Sequence, residues 1–276
     1  IQEGCNFRCS YCIIPFVRGD ARSMSEAKIL EQVSRLALNG FGEFILTGTN
    51  VGSYGQDTQT SLAKLMKKMS QIRGVRRIRL GSVEPIQITD EFLEIIDEPW
   101  LEKHMHIALQ HTAPKMLKIM NRRNVYKQDR ELFELLAAKG FAIGTDFITG
   151  HPGESEALWQ EAMQNARELP LTHIHAFSYS KRDGTNSATL KPEINGKIAK
   201  QRLHEIESLI KEKNLAFRTA FKGELDVLIE SYKDGLYHGL DQHFNKIVVK
   251  SDEDLLGNWI NVSDYKVKKE SNYAEF

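Results

Sequence analysis

The sequence predicts an α/β protein built on a parallel sheet, with a smaller all-β region behind it. Two patterns carry this reading. From residue 1 to about 220, short apolar runs that end in glycine or a polar turn alternate with stretches of helical periodicity. Beyond Lys222 that spacing gives way to short alternating runs separated by Gly and Asp-Gly turns. Strands that alternate with helices pair in parallel through crossover connections. At 276 residues the chain can bury one large core and one small one, and the change of texture divides it into 1–220 and 221–276.

In order, a first strand enters at Ile1. Ser23 and Glu26 have capping-box spacing, and Ile29, Val33 and Leu36 follow at helical spacing to a stop at Gly40. FGEFILTG reads as a short buried strand. The unit then recurs as helix 60–72, strand RRIRLGS, helix 89–97, strand HMHIALQ, helices 113–120 and 127–139, strand FAIGTDFITG, helix 155–168 and strand HIHAFSY, about six βα units in all. Residues 194–219 form a long, charged, amphipathic helix, and the segment after Lys222 is a candidate small β-barrel.

Lys plus Arg and Asp plus Glu both number 37, so global charge announces no nucleic-acid partner. No apolar run approaches the length of a transmembrane helix. The chain starts without Met, which makes the lack of a leader uninformative.

The chemistry is concentrated in the opening IQEGCNFRCSYCIIPFVRG, which holds the chain's three cysteines, Cys5, Cys9 and Cys12. Disulfides across such short spans are strained and leave one thiol over, so metal or cluster ligation in a reducing, cytoplasmic setting is favoured. Structural zinc normally takes four ligands, and no histidine precedes His104. Three thiolates on a 4Fe-4S cluster leave one iron open to an exogenous molecule. A zinc knuckle closed by a distant histidine, or three unrelated buried cysteines, are the alternatives.

The spacing CxxxCxxC, with Tyr11 before the third cysteine, resembles the signature of the radical S-adenosylmethionine superfamily. The wider run GCNFRCSYCIIPFVRG is similar to the MiaB-like methylthiotransferases, with Met24 where that family usually has a basic residue. The resemblance implies a partial (β/α)6 radical SAM barrel followed by a TRAM-like β-barrel. It also implies a 4Fe-4S cluster on Cys5, Cys9 and Cys12 and S-adenosylmethionine chelated to the open iron. Reductive cleavage then yields a 5′-deoxyadenosyl radical that abstracts hydrogen from an unactivated carbon. Family members carry a second cluster in an amino-terminal domain, and this chain has no cysteine left for it, so that cluster is expected only in a longer chain.

In parallel α/β folds ligands gather at the carboxyl ends of the strands. The segments there are LTGTNVGSYG, GSVEP, LQHTAPKMLKIMNRR, TDFITGHPGE and FSYSKRDGT. The resemblance places Thr47, Gly48 and Asn50 near the methionine amino group, and Ser82, Glu84 and Gln110 at the methionine or ribose. Ile148 and Gly150 meet the adenine, with Phe177 and Tyr179 as stacking neighbours. Asp146 orients a backbone amide or caps a local turn. His104 with His106, and His173 with His175, alternate so that each pair shares a sheet face, where hydrogen-bonded histidines are commoner than a metal site.

Residues 222–276 contain seven lysines, no arginine and eleven acids, so phosphate contacts are expected elsewhere. Candidates are Arg73, Arg76, Arg77 and Arg79; Lys115, Lys118, Arg122 and Arg123; and Lys181 with Arg182, of which Arg122-Arg123 matches the family's NRR segment. The segment Gly52-Ser53-Tyr54-Gly55 looks most like the branch acting on threonylcarbamoyladenosine beside the tRNA anticodon. That branch implies replacement of the adenine C2 hydrogen by a methylthio group, with tRNA and an electron donor protein as partners. Isopentenyladenosine in tRNA and a ribosomal-protein aspartate are the other family substrates. A cluster-bearing RNA-binding module without turnover, or a radical enzyme acting on a small molecule, are readings from other classes.

Overall fold

The computed structural model describes all 276 residues, Ile1 to Phe276. The chain runs through β1 (Gln2–Glu3), α1 (Ile14–Arg18), β2 (Arg22–Ser23), α2 (Glu26–Leu38), β3 (Glu43–Leu46), α3 (Leu62–Ser70), β4 (Arg77–Leu80), α4 (Asp90–Leu93) and β5 (His104–His106). It continues through α5 (Pro114–Ile119), α6 (Tyr126–Ala138), β6 (Ala142–Thr149), α7 (Glu156–Glu168), β7 (His173–Ser178) and α8 (Gly196–Ala220). The remainder holds β8 (Leu225–Lys233), β9 (Leu236–Leu240), β10 (Lys246–Lys250), β11 (Trp259–Val262), β12 (Lys266–Val267) and β13 (Asn272–Glu275).

Six strands of the first lobe follow one another in parallel. Gln2 bridges Gly48 at the end of β3, β3 pairs with β4, and bridges Ile78 to Leu101 and Val83 to Ile107 join β4 to the β5 region. From there β5 pairs with β6 and β6 with β7. The result is the expected open, curled sheet of six βα units, with β1 and β7 at its two ends. Its main core packs Ile78, Met105, Ile107 and Ile143 against Leu65, Met66, Met69, Phe133 and Leu136 of the helices. Ser61, Thr89 and Ser155 cap α3, α4 and α7 by accepting from backbone N–H groups.

The predicted capping box does not form. Ser23 lies in β2, paired to Gln2, and its hydroxyl donates to Asp57 at 2.5 Å, so the helix starts after Ser25 instead. Long-range pairing here outweighs a local signal. The helix expected over 89–97 is also shorter, with α4 ending at Leu93.

The second lobe is a six-stranded sheet in the order β11-β8-β9-β10-β13-β12, antiparallel except for β10 with β13. Val227, Ile229, Ile247, Val249 and Val262 form its separate core. It docks on the amino-terminal ends of the α/β strands. The ring of Phe244 stacks on His104, 5.0 Å between centroids, beside His173, and the amide of Lys103 donates to Gln242 at 2.9 Å. Arg77 bonds Asp226 at 2.8 Å and Glu43 at 3.1 Å, and Arg76 and Arg77 both lie over the Trp259 ring. Arg79 is enclosed by Glu43, Glu102 and the Asp241 carbonyl. These pairings correct the expectation that Arg77 and Arg79 face RNA phosphate, while Arg76 stays half-exposed with the single partner Asp226. A guanidinium already desolvated against two carboxylates has no donor to give one. No helix is long and apolar enough to cross a membrane.

Candidate active site

The cysteines lie on the loop that leaves β1. Gly4 opens it at φ +71, in the left-handed region, and a Cβ there would sit 2.1 Å from the Asp20 carbonyl. The loop is tied down at both ends. The Cys5 amide donates to Gly19 at 3.1 Å and the Ser10 amide to Met120 at 2.9 Å, while Asn121 donates to the Arg8 carbonyl at 2.6 Å.

All three thiols are free and half-buried. They open on a cavity of about 200 Å³ lined also by Tyr11, Thr49, Asn50, Ser82, Glu84, Gln110, Arg122 and Asp146. Each sulfur meets a donor: the Phe7 amide and Asn50 Nδ2 reach Cys5 at 3.4 Å each, Arg122 Nη1 reaches Cys9 at 3.5 Å, and the Ile14 amide bonds Cys12. Burial pushes the Cys12 thiol up, opposed by that amide.

Two kinds of centre make different demands on three thiolates. Three thiolates on one zinc at about 2.3 Å would stand within about 4 Å of one another. Here the sulfurs do not all fall within 4.8 Å of one another. A cluster, whose ligated irons are separate atoms, takes wider spacing, and donors aimed at the sulfurs offset its negative charge. The residues fit a three-thiolate 4Fe-4S site.

Arg122 organises the wall behind the cluster loop. Its side chain is 1% exposed, its guanidinium forks onto both oxygens of Glu84 and donates to the Ala108 carbonyl, and Asn124 accepts from its Nε at 3.2 Å. Burial raises the Glu84 carboxyl above its ordinary range even against this cation. Arg122 therefore cannot meet RNA phosphate, which corrects that reading. Its neighbour Arg123 is exposed, over the Phe7 ring.

Most of the other expected residues surround this cavity or its continuations. Asn50 is buried, fixed by Gln2 and Gln87. Gln110 takes φ +67, and its amide donates to Asp146 at 2.9 Å. Tyr11, Gln110 and Asp146 are shared with an adjoining chamber of about 600 Å³ that is lined by Ile148, Phe177, Tyr179 and Arg182. Phe177 is 56% exposed there. A third hollow of about 270 Å³ adds Gly150 and Lys181. Thr47 and Gly48 lie outside the cysteine cavity, where the Thr47 carbonyl accepts from the Ile1 amino group and Gly48 bridges Gln2.

Sequence reasoning missed Thr49 and gave Arg122 the wrong role. It left Asp146 between two structural roles, whereas the carboxylate bonds His106 Nε2 at 3.1 Å inside the barrel. It also missed a buried brace at the exit of β6, where Glu154 takes His111, the Gly150 amide and Arg202. Adjacent to it, His151 bonds Ser187 at 2.7 Å and packs on Tyr11 and Tyr179.

A family model described as the radical SAM superfamily matches residues 1–166. A protein of Helicobacter pylori (strain J99 / ATCC 700824), provisionally named a methylthiotransferase, is 54% identical over 279 residues, covering 100% of this chain and 67% of that protein. The threonylcarbamoyladenosine tRNA methylthiotransferase MtaB of Bacillus subtilis (strain 168) is 31% identical over 287 residues, covering 100% of this chain and 64% of its own length. Among solved structures, the radical S-adenosylmethionine methyltransferase TsrM from Kitasatospora setae superposes with a TM-score of 0.56 at 16% identity, covering 67% of this chain and 37% of that one, which speaks to the fold alone. The chain spans about two thirds of the length of its curated relatives. With a six-unit open barrel, a three-cysteine loop at its carboxyl end and these likenesses, the chain belongs to the radical SAM methylthiotransferase family.

Proposed function

We propose that the chain acts on tRNA, converting N6-threonylcarbamoyladenosine beside the anticodon to its 2-methylthio derivative. Methylthiotransferases named for other substrates resemble the chain at similar identity, so the substrate rests on one segment. That segment is Gly52-Ser53-Tyr54-Gly55, set against the cofactor wall. A Cβ on Gly52 would meet Gln87 Oε1 at 2.2 Å, and Gln87 Nε2 binds both Asn50 and Ser53, at 2.8 and 3.0 Å. Gly52 and Gln87 form a matched pair, since a side chain at position 52 would require Gln87 to move. The name of the Bacillus subtilis relative agrees.

In this reading Cys5, Cys9 and Cys12 would hold the cluster, and Ile148, Gly150 and Tyr179 would hold the adenosine part of S-adenosylmethionine. When bound, the cluster supplies the electron that cleaves the cofactor. The chain's own residues position and screen. Asn50 and the Phe7 amide donate to one sulfur and Arg122 to another, Tyr11 closes the cavity between cluster and chamber, and Ser82, Glu84 and Gln110 offer polar groups to the methionine and ribose. Exposed Phe177 supplies an apolar face for a base. Arg123, Lys181 and Arg182 provide cations at the rim for the RNA backbone, and the second lobe is read as a TRAM-like module that positions the RNA.

The deciding experiment is mass spectrometry of digested tRNA, and of ribosomal protein, from cells with and without the gene. Loss of 2-methylthio-N6-threonylcarbamoyladenosine alone is expected. Loss of the isopentenyl derivative, or of methylthio-aspartate, would overturn the substrate assignment.

A further inference from the structure

Beneath the cysteine cavity the barrel holds a second donor set that the proposed chemistry leaves unused. Three adjacent strands build it. His106 on β5 stands opposite Gly144 of β6, and two residues on, Asp146 of β6 stands opposite His175 of β7. Period two puts all three side chains on one face, the barrel interior.

The geometry is close to that of a coordination sphere. His106 Nε2 lies 3.1 Å from Asp146 Oδ1 and His175 Nδ1 lies 3.7 Å from the same oxygen, and the three donors all fall within 4.8 Å of one another. Two ligands about 2.1 Å from one ion stand about 3.0 Å apart at an octahedral angle and about 3.4 Å at a tetrahedral one. The His175 distance is the telling one. At 3.7 Å it is too long for a hydrogen bond, so the imidazole nitrogen points at a carboxylate it does not bond, leaving a gap that an ion would bridge.

The surroundings favour the same end. Gly144 admits the rings, since a Cβ there would stand 2.6 Å from His106 Nδ1 and 3.0 Å from His104 Nε2. Ser82 lines the cysteine cavity together with Asp146. The His175 side chain is 63% exposed, and Asp146 lines both the cysteine cavity and the larger chamber, so the remaining coordination positions open toward the ligands.

We propose that His106, Asp146 and His175 form a divalent-cation site of the two-histidine, one-carboxylate type, with open positions toward the chamber for an oxygen or nitrogen donor of a bound ligand. This donor set suits first-row ions such as Mn²⁺ or Fe²⁺. It stands apart from the substrate assignment, because its test reads binding and not turnover.

The test titrates Mn²⁺ into cluster-loaded, oxidised protein, whose thiolates are occupied, and follows the free-ion paramagnetic resonance signal. One ion per chain should be taken up. Asp146→Asn and His175→Gln should each weaken uptake by about tenfold or more, and His204→Gln on the exposed face of α8 should leave it unchanged. His175 is exposed, so its variant tests the site without disturbing the core, and circular dichroism checks the fold of both. No saturable uptake by the parent protein, or equal titrations for the parent and both site variants, would overturn the assignment and leave a hydrogen-bonded His106–Asp146 pair with a bystander at 175.

Discussion

Replacing Arg122 by Gln separates the scaffold of the site from its chemistry. The guanidinium is 1% exposed and holds Glu84, Ala108, Asn124 and Cys9 at once. Removing one partner of a buried pair costs about 3–5 kcal/mol, because the other charge is left without compensation. For a chain of this size that lowers the melting temperature by about 5–9 °C. Glu84 limits the loss by taking up a proton, and burial already raises its carboxyl. The sign follows. In the variant Glu84 binds its proton more tightly folded than unfolded, so the deficit is smallest at acid pH and grows as pH rises through the folded pKa. The assay is thermal unfolding of cluster-free protein between about pH 5 and 8 for Arg122→Gln, Glu84→Gln and the double variant. The double variant should recover most of the loss. After reconstitution the single variant should keep its iron, with a lower cluster potential, because a cation beside Cys9 is gone. A melting point within about 1 °C of the parent across that pH range, or a double variant no more stable than Arg122→Gln, would refute this account of the wall.

Alanine at Cys5, Cys9 or Cys12 should abolish stable iron binding and the visible absorption of the cluster; a single variant with full iron content would remove the three-thiolate assignment. Burial holds His173 and His243 down at about 4, so their stabilisation is complete above about pH 6.5 and fades as pH falls toward 4, about 2 kcal/mol each by pH 5. Calorimetry of His243→Asn should show a shallower acid limb than the parent, and an identical limb would contradict it. Joint replacement of Arg123, Lys181 and Arg182 by Ala should weaken tRNA binding and reduce the slope of log affinity against log salt by about one for each phosphate left without its cation; an unchanged slope would take these residues out of the footprint.

What the sequence could tell followed the distance over which each signal acts. The cysteine loop was legible because its three cysteines lie within eight residues, and the βα alternation because periodicity is local. Arg122 was not, because its partner Glu84 is 38 residues away and a basic pair after a helix reads equally as surface. Arg77 and Arg79 misled for the same reason, as their partners include Asp226 and Asp241 of the second lobe. Ser23 misled differently. Its capping spacing was real, but Asp57 and strand pairing compete for the same hydroxyl and amide. The shared face of His104 and His106 was readable from period two, but Asp146 as their neighbour depended on strand register.

Phe244 and the Asp241–Asn245 turn pack at one mouth of the barrel, and the cysteine loop lies at the other. What remains is the seam between the two ends of the curled sheet, where Ile13 and Ile14 after β1 face Phe177 to Ser180 at the end of β7. If the substrate is RNA, as proposed above, a base turned out of its stack would enter by that seam while the helical remainder stayed outside.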